Sequence, residues 1–250
     1  MKILLLDIET KPNKVYTWGL RQQDISIGQI IEPGGMICWA AKWHKRKKML
    51  FRSEYHHSKD EMLTEMWHLL DEADVVVHFN GKKFDIPWIN TEFMRLGMPP
   101  PSPYRQVDLF RTISGKGRFP SNKLDWLLTE FGFENKVKHE GMQMWIDCID
   151  GKGAVQKRAW AKMRKYCKGD VWRLEELYEY LLPWITQHPN WGVYISPDDP
   201  VCRNCGSAHL KRRGFAYTNM RKYQRYRCDD CGSWARGNKC IDKVSNGLTQ

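Results

Sequence analysis

No run of apolar residues in this sequence approaches the roughly 20 needed to cross a bilayer as a helix, so no membrane partner is expected. The apolar stretch after Lys2 covers only Ile3 to Leu6 before Asp7 interrupts it, far short of a secretory h-region. A cytosolic, reducing setting is the resulting expectation. No internal repeat or low-complexity tract stands out. Most of the chain also lacks a charge bias. The last 50 residues hold 11 Lys and Arg against three Asp, which leaves the first 200 at only +3 of a total of +11. A basic excess confined to one end suits a nucleic-acid-binding module. A solvated tail that aids solubility is the alternative, and the aromatics interleaved there argue against it.

What is present is 250 residues, 42% apolar and rich in Trp, with 12. That is enough for one sizeable core and a small appendage. The first strand, Ile3 to Thr10, runs from an apolar stretch into two acids, Asp7 and Glu9. Side chains at i and i+2 of a strand share a face, so these carboxylates stand side by side. Two carboxylates that close repel, and a divalent cation between them relieves the repulsion. A solvated strand end is the other reading.

Lys11 to Pro33 shows no clear period. Gly35 to His44 and Lys48 to Tyr55 complete an antiparallel meander with the first strand. Ser58 and Glu61 form a capping box for a helix to about Asp71. Val75 to Phe79 is a short, fully apolar strand ending at Asn80-Gly81, and Phe84 to Leu96 is a helix stopped by Gly97 and the prolines 99–101. Gln106 to Phe110 is a further strand and Leu124 to Phe131 a helix. Val155 to Ile185 forms the long helix, with Gly169 as a candidate break and Pro183 as its end. Trp191 to Pro200 has the proline, glycine and aspartate content of a linker. The order of elements implies a mixed sheet flanked by helices.

Asp85 falls on the first turn of a helix that follows a buried strand, where α/β sheets present functional groups. Alternatively it satisfies first-turn amides. The long helix carries an apolar stripe, Trp160, Met163, Cys167, Val171, Leu174, Leu177, Tyr178 and Leu181, and Asp170 lies on it. A carboxylate on a core-facing stripe is rarely left without a partner, either a metal or an Arg. Tyr166 lies one turn away on the same side.

Asp7-x-Glu9, Asn80 to Asp85 and Tyr166-x3-Asp170, in that order, resemble the three exonuclease motifs of the DEDD superfamily, 3′–5′ exonucleases on a ribonuclease H-like fold. Tyr166 is similar to the tyrosine of the DEDDy subgroup, found in proofreading domains of DNA polymerases. The histidine subgroup has His five before the last Asp, and that position here is Lys165. The resemblance covers roughly residues 1–185; Lys11 to Pro33 and Cys148 to Gly153 do not match the family pattern. It implies two Mg²⁺ or Mn²⁺ ions. Asp7 would bridge them, Glu9 and Asp170 complete the first site, and Asp85 hold the second largely through water. Tyr166 would orient the attacking water. Hard oxygen ligands suit those ions rather than Zn²⁺.

In the tail, Cys202-x2-Cys205 and Cys228-x2-Cys231 form two knuckles, each followed by glycine. The spacing resembles a zinc ribbon with one structural Zn²⁺ on four thiolates. Local disulfides or free thiols are the alternative, and His209 and Cys240 are substitute ligands. Cys38, Cys148 and Cys167 read as ordinary core residues. Between the knuckles basic and aromatic residues alternate: Lys211, Arg212, Arg213 and Tyr217, then Arg221, Lys222, Tyr223, Arg225 and Tyr226. With Asn80 these are the candidate nucleic-acid contacts. Docking a protein is the competing role of the ribbon.

The sequence thus predicts an α/β, ribonuclease H-like exonuclease domain over residues 1–190 and a zinc ribbon over 200–240. The expected function is metal-dependent 3′–5′ removal of nucleotides from DNA, single-stranded or frayed, for proofreading or repair with a separate DNA polymerase or replication protein. RNA trimming, structure-selective cleavage and a non-catalytic nucleic-acid-binding adaptor are the alternatives.

Overall fold

The computed structural model describes residues 1–21, 23–133, 140–195 and 199–243. The chain divides into two compact units, Lys2–Phe110 with Phe119–Glu175, and Met1 with Arg111–Arg118 and Glu176–Gln250.

The first unit is built on a five-stranded mixed sheet. Its strands are β1 (Ile3–Lys11), β4 (Gly35–Trp43), β5 (Met49–Ser53), β6 (Val75–His78) and β7 (Arg105–Asp108), in the order β5-β4-β1-β6-β7. The pairs β1–β4 and β4–β5 are antiparallel, as the meander required, and β1–β6 and β6–β7 are parallel. The aperiodic segment 11–33 holds a small two-stranded sheet, β2 (Lys14–Val15) with β3 (Ile30–Glu32), and a 3₁₀ turn at Ile27–Gln29.

Seven helices lie among the described residues: α1 (Lys59–Glu72), α2 (Asp85–Arg95), α3 (Leu109–Lys116), α4 (Leu124–Glu130), α5 (Met142–Ile149), α6 (Gly153–Leu181) and α7 (Trp191–Ile195). The capping box forms at α1: Ser58 Oγ accepts from the Glu61 amide at 3.2 Å, and Glu61 Oε2 accepts from the Ser58 amide at 2.9 Å. Three expectations fail. The strand ends at Asp108 rather than Phe110, because Leu109 and Ile113, one helical turn apart, both bury in α3. Gly169 does not break α6; a lone glycine costs about 1 kcal/mol against alanine, too little to interrupt a helix packed on a core. The linker begins with a turn of helix, α7; residues 196–198 of it lie outside the described residues.

One face of β1 contributes Leu4, Leu6 and Ile8 to a core shared with Trp39 of β4, Met62, Leu63 and Met66 of α1, and Ile89 and Phe93 of α2. Trp39 Nε1 donates to the Met62 carbonyl at 2.9 Å. The other face presents Leu5, Asp7 and Glu9, whose partners across the β1–β4 ladder are Lys42, Ala40 and Cys38. Against it lies α6. Lys42, 1% exposed, pairs with Glu175 and sits 3.7 Å from the centroid of the Trp172 ring, and the Lys45 amide donates to Glu175 at 2.8 Å. Every member of the α6 apolar stripe is buried.

The second unit contains a three-stranded antiparallel sheet, β8 (Leu210–Tyr217), β9 (Arg221–Cys228) and β10 (Trp234–Lys243), in the order β10-β9-β8. The hairpin between the knuckles therefore gains a third strand after them. Among the described residues no helix is long and apolar enough to cross a membrane.

Candidate active site and metal centre

Asp7 and Glu9 share the β1 face that α6 covers, and α6 brings Asp170 to them. One carboxylate oxygen from each of the three lies within 4.8 Å of the other two. Asp170 is buried and the strand acids are half-buried. The donors are all hard oxygen, the set preferred by Mg²⁺ and Mn²⁺. That separation lets all three reach one such ion, whose oxygen bonds are about 2.1 Å, with a small adjustment of the side chains.

Tyr166 opens the helical turn that carries Asp170. Burial pushes its hydroxyl well above the usual phenol range, and the charges of Asp170, Glu9 and Asp7 push the same way. The group stays a protonated donor at any working pH. Its ring packs edge-on against Trp145 at 6.1 Å between centroids.

Asp85 is the first residue of α2 and is 4% exposed. Its Oδ1 accepts from the amide of Ile8, the residue between Asp7 and Glu9, at 3.3 Å. Burial raises its carboxyl to about 7; hydrogen bonds from its own amide and that of Ile8 oppose the shift, and the charge of Asp108 adds to it.

Asp108 is a buried carboxylate that the sequence reading passed over. It stands at the end of β7, beside His78 across the β6–β7 ladder. It accepts from the Asn80 amide at 3.0 Å, which fixes the backbone of Asn80 in a left-handed conformation, φ 62°. The available signal was an acid at the carboxyl end of a buried strand. Asn80 itself is half-buried beside this group.

Cys38, Cys148 and Cys167 are buried as expected, but two of them line the acids. Cys38 faces Glu9 across the ladder, and the Cys167 thiol lies 3.9 Å from Asp7 Oδ2. Burial pushes both thiols up, Cys167 strongly.

The second constellation is the four tail cysteines, whose sulfurs all lie within 4.8 Å of one another. Cys202–Cys231 are 3.5 Å apart and Cys205–Cys228 3.6 Å. A tetrahedron of sulfurs about 2.3 Å from zinc has edges of about 3.8 Å, so the cluster fits that ion. The knuckles repeat each other. The Cys202 amide donates to Ser207 O and the Gly206 amide to Cys202 O; likewise the Cys228 amide donates to Ser233 O and the Gly232 amide to Cys228 O, all between 2.8 and 3.0 Å. Gly206 and Gly232 have φ 78° and 75°, which a side chain at either position would strain. Hydrogen bonds from Cys202 and Cys205 hold Cys231 well below the usual thiol range, and Cys205 is pushed far above it by Cys202 and Cys231. A cation is what lets all four ionise together. The cysteines form no disulfide. Neither substitute ligand joins the cluster. His209 pairs with Asp230 at 3.0 Å, and Cys240 is exposed on β10.

Ladder pairing divides the candidate nucleic-acid contacts. Lys211, Arg221, Tyr223 and Arg225 share one face of the three-stranded sheet; Arg212, Tyr217, Lys222 and Tyr226 share the other. Arg213 falls in the bulged stretch between Arg212 and Phe215.

A family model described as RNase_H superfamily matches residues 35–182. Among solved structures, a similar one is the family B DNA polymerase from the hyperthermophilic archaeon Pyrobaculum calidifontis. The TM-score is 0.48 at 12% identity, over 90% of this chain and 33% of that one, so this chain spans about a third of that polymerase's length. No curated protein matches by sequence.

Proposed function

The chain belongs to the ribonuclease H superfamily, and on that premise we propose that it is a metal-dependent 3′–5′ exonuclease that removes nucleotides from DNA ends, single-stranded or frayed. The observation that carries this reading is the meeting of Asp7, Glu9 and Asp170 within 4.8 Å, from a strand and a helix more than 150 residues apart in sequence. The motif order from β1 to α6 supports the polarity and the DNA preference by resemblance.

Asp7, Glu9 and Asp170 would hold one divalent ion, and Asp85 would hold a second, largely through water. A bound pair of such ions stabilises charge on the attacking and leaving oxygens of an in-line displacement at phosphorus. The chain's own groups prepare that event. Tyr166, kept protonated, orients a water by donating to it. Asp108 holds the turn at Asn80 that leads to Asp85. Over residues 200–240, Cys202, Cys205, Cys228 and Cys231 would hold one structural Zn²⁺, and the strands between and after the knuckles supply basic contacts to nucleic acid. A polymerase or replication protein supplied in trans is the partner that proofreading requires.

The test is release of mononucleotides from labelled strands in Mg²⁺ or Mn²⁺, comparing DNA with RNA and a 3′ with a 5′ label. Asp7→Ala and Asp170→Ala should each abolish release while leaving the circular dichroism unchanged. Wild-type rates in both variants would remove the site assignment, and RNA or 5′ preference would redirect the substrate reading. Metal analysis should return one zinc per wild-type chain and none in a Cys205→Ser, Cys228→Ser variant.

A further inference from the structure

The basic residues of the ribbon are unevenly shared between its two faces. Residues directly opposed across antiparallel strands project to the same side. Arg227 opposes Lys211 and Trp234, Arg225 opposes Arg236, and Arg221 opposes Lys243. One face therefore carries Lys211, Arg221, Arg225, Arg227, Arg236 and Lys243, with no acid among its strand positions. The opposite face carries Arg212 and Lys222 against Asp242, with Phe215, Tyr217 and Tyr226.

On the basic face the cations and rings are interleaved. The Arg225 guanidinium lies 5.0 Å from the Trp234 ring centroid and that of Arg236 4.3 Å from the Tyr223 ring. Arg225 Nε also donates to the Arg213 carbonyl at 2.9 Å. Stacking and hydrogen bonding hold these guanidinium groups in place, which lowers the entropy lost when they take up phosphates. Tyr223 is buried under its arginine, whereas Trp234 is 50% exposed.

We infer that this face is a binding tract for single-stranded nucleic acid, in which the arginine row takes consecutive phosphates and Trp234 stacks on a base. It adds Arg227, Trp234 and Arg236 to the contacts and removes Arg212, Lys222 and Tyr226 from the phosphate path. A duplex would meet the same phosphates but hides its base faces, so Trp234 marks the preferred form. The inference rests on the nuclease reading only for the identity of the polymer.

The experiment uses the full chain carrying Asp7→Asn, to prevent turnover, with a fluorescent oligothymidine and a duplex of equal length titrated over a range of salt. Adding Arg225→Gln, Arg227→Gln and Arg236→Gln together should weaken single-strand binding at least tenfold and flatten the log–log salt slope by about 2, the share of three phosphate contacts. Arg212→Gln with Lys222→Gln should leave the slope within error. Trp234→Ala should cost about tenfold on the single strand and nothing on the duplex. Retained zinc in each variant shows that the ribbon is intact. An unchanged slope in the triple variant, an equal loss from the opposite face, or equal losses on duplex and single strand for Trp234→Ala would each overturn the tract. Nucleotide release by the wild-type chain is scored separately. Its absence would overturn the reading of the acids while the binding series still decides the ribbon.

Discussion

Asp85 is the position where a structural and a chemical role predict opposite outcomes. Burial raises its carboxyl from an ordinary value of 3.8 to about 7, so the folded chain without Mg²⁺ or Mn²⁺ resists its ionisation. A raised carboxyl contributes stability that is fully present below about pH 3.8 and is lost as the pH climbs through about 7. At about 1.4 kcal/mol per pH unit, the loss between pH 5 and pH 8 is of order 2 to 3 kcal/mol. Asp85→Asn removes the ionisation and keeps an acceptor for the Ile8 amide. In urea titrations followed by tryptophan fluorescence, in buffer without added divalent ions, the variant should be more stable than wild type at pH 8. The advantage should shrink by those 2 to 3 kcal/mol at pH 5. The same variant should lose metal-dependent nucleotide release. An acid that serves only the first turn of α2 would behave in reverse, its removal costing stability at neutral pH. A variant that is less stable at pH 8, or an advantage that ignores pH, would refute the argument.

Two further outcomes follow from the contacts of α6. Lys42→Ala should cost about 3–5 kcal/mol in thermal or urea unfolding, because Glu175 is left buried without its ammonium. Lys42→Met combined with Glu175→Leu should recover most of that loss, and a double variant as unstable as the single one would contradict the ion-pair account. Tyr166→Phe should lower the rate of nucleotide release about 100-fold with an unchanged Mg²⁺ midpoint, as for a donor that positions water. A shifted midpoint would make Tyr166 part of the ion site instead.

Local chemistry explains which parts of the fold could be read from the sequence. The period of two in β1, the capping box at Ser58 and Glu61, and the stripe along α6 are short-range signals, and each appears in the structure where it was expected. The helices α3, α5 and α7 were not legible. They run eight, eight and five residues, and α5 follows Gly141 without a side-chain cap, so neither length nor capping announces them. The division of the ribbon into a basic and an aromatic face was hidden for another reason. Register shifts between Arg212 and Phe215, Arg236 and Cys240, and Cys240 and Asp242 decide it, and a bulge leaves no mark on composition. Cys38 and Cys167 sit at ordinary apolar positions, so nothing in their spacing tells a core thiol from one that borders an acid.

The candidate site was legible for a different cause, which lies in strand direction. The strands β1, β6 and β7 are parallel neighbours, so their carboxyl ends fall on one edge of the sheet. Asp7 and Glu9 lie toward that end of β1, Asp85 follows β6 after the turn at Asn80, and Asp108 closes β7. The antiparallel strand β4 delivers no acid there, because its carboxyl end points the other way; β5 runs in the same direction as β1, and Glu54, just beyond it, pairs with Lys59 at 2.9 Å. An acid late in a buried parallel strand, or just beyond it, is therefore already placed near every other such acid, whatever separates them in sequence. Only Asp170 needs a separate carrier, and α6 provides it, anchored on the sheet by Cys167 beside Asp7, three residues before Asp170, and by Glu175 on Lys42, five residues after it. Asp108 satisfies the same rule as the others. It was overlooked because its partner, the Asn80 amide, is reached through a parallel pairing that no local motif encodes.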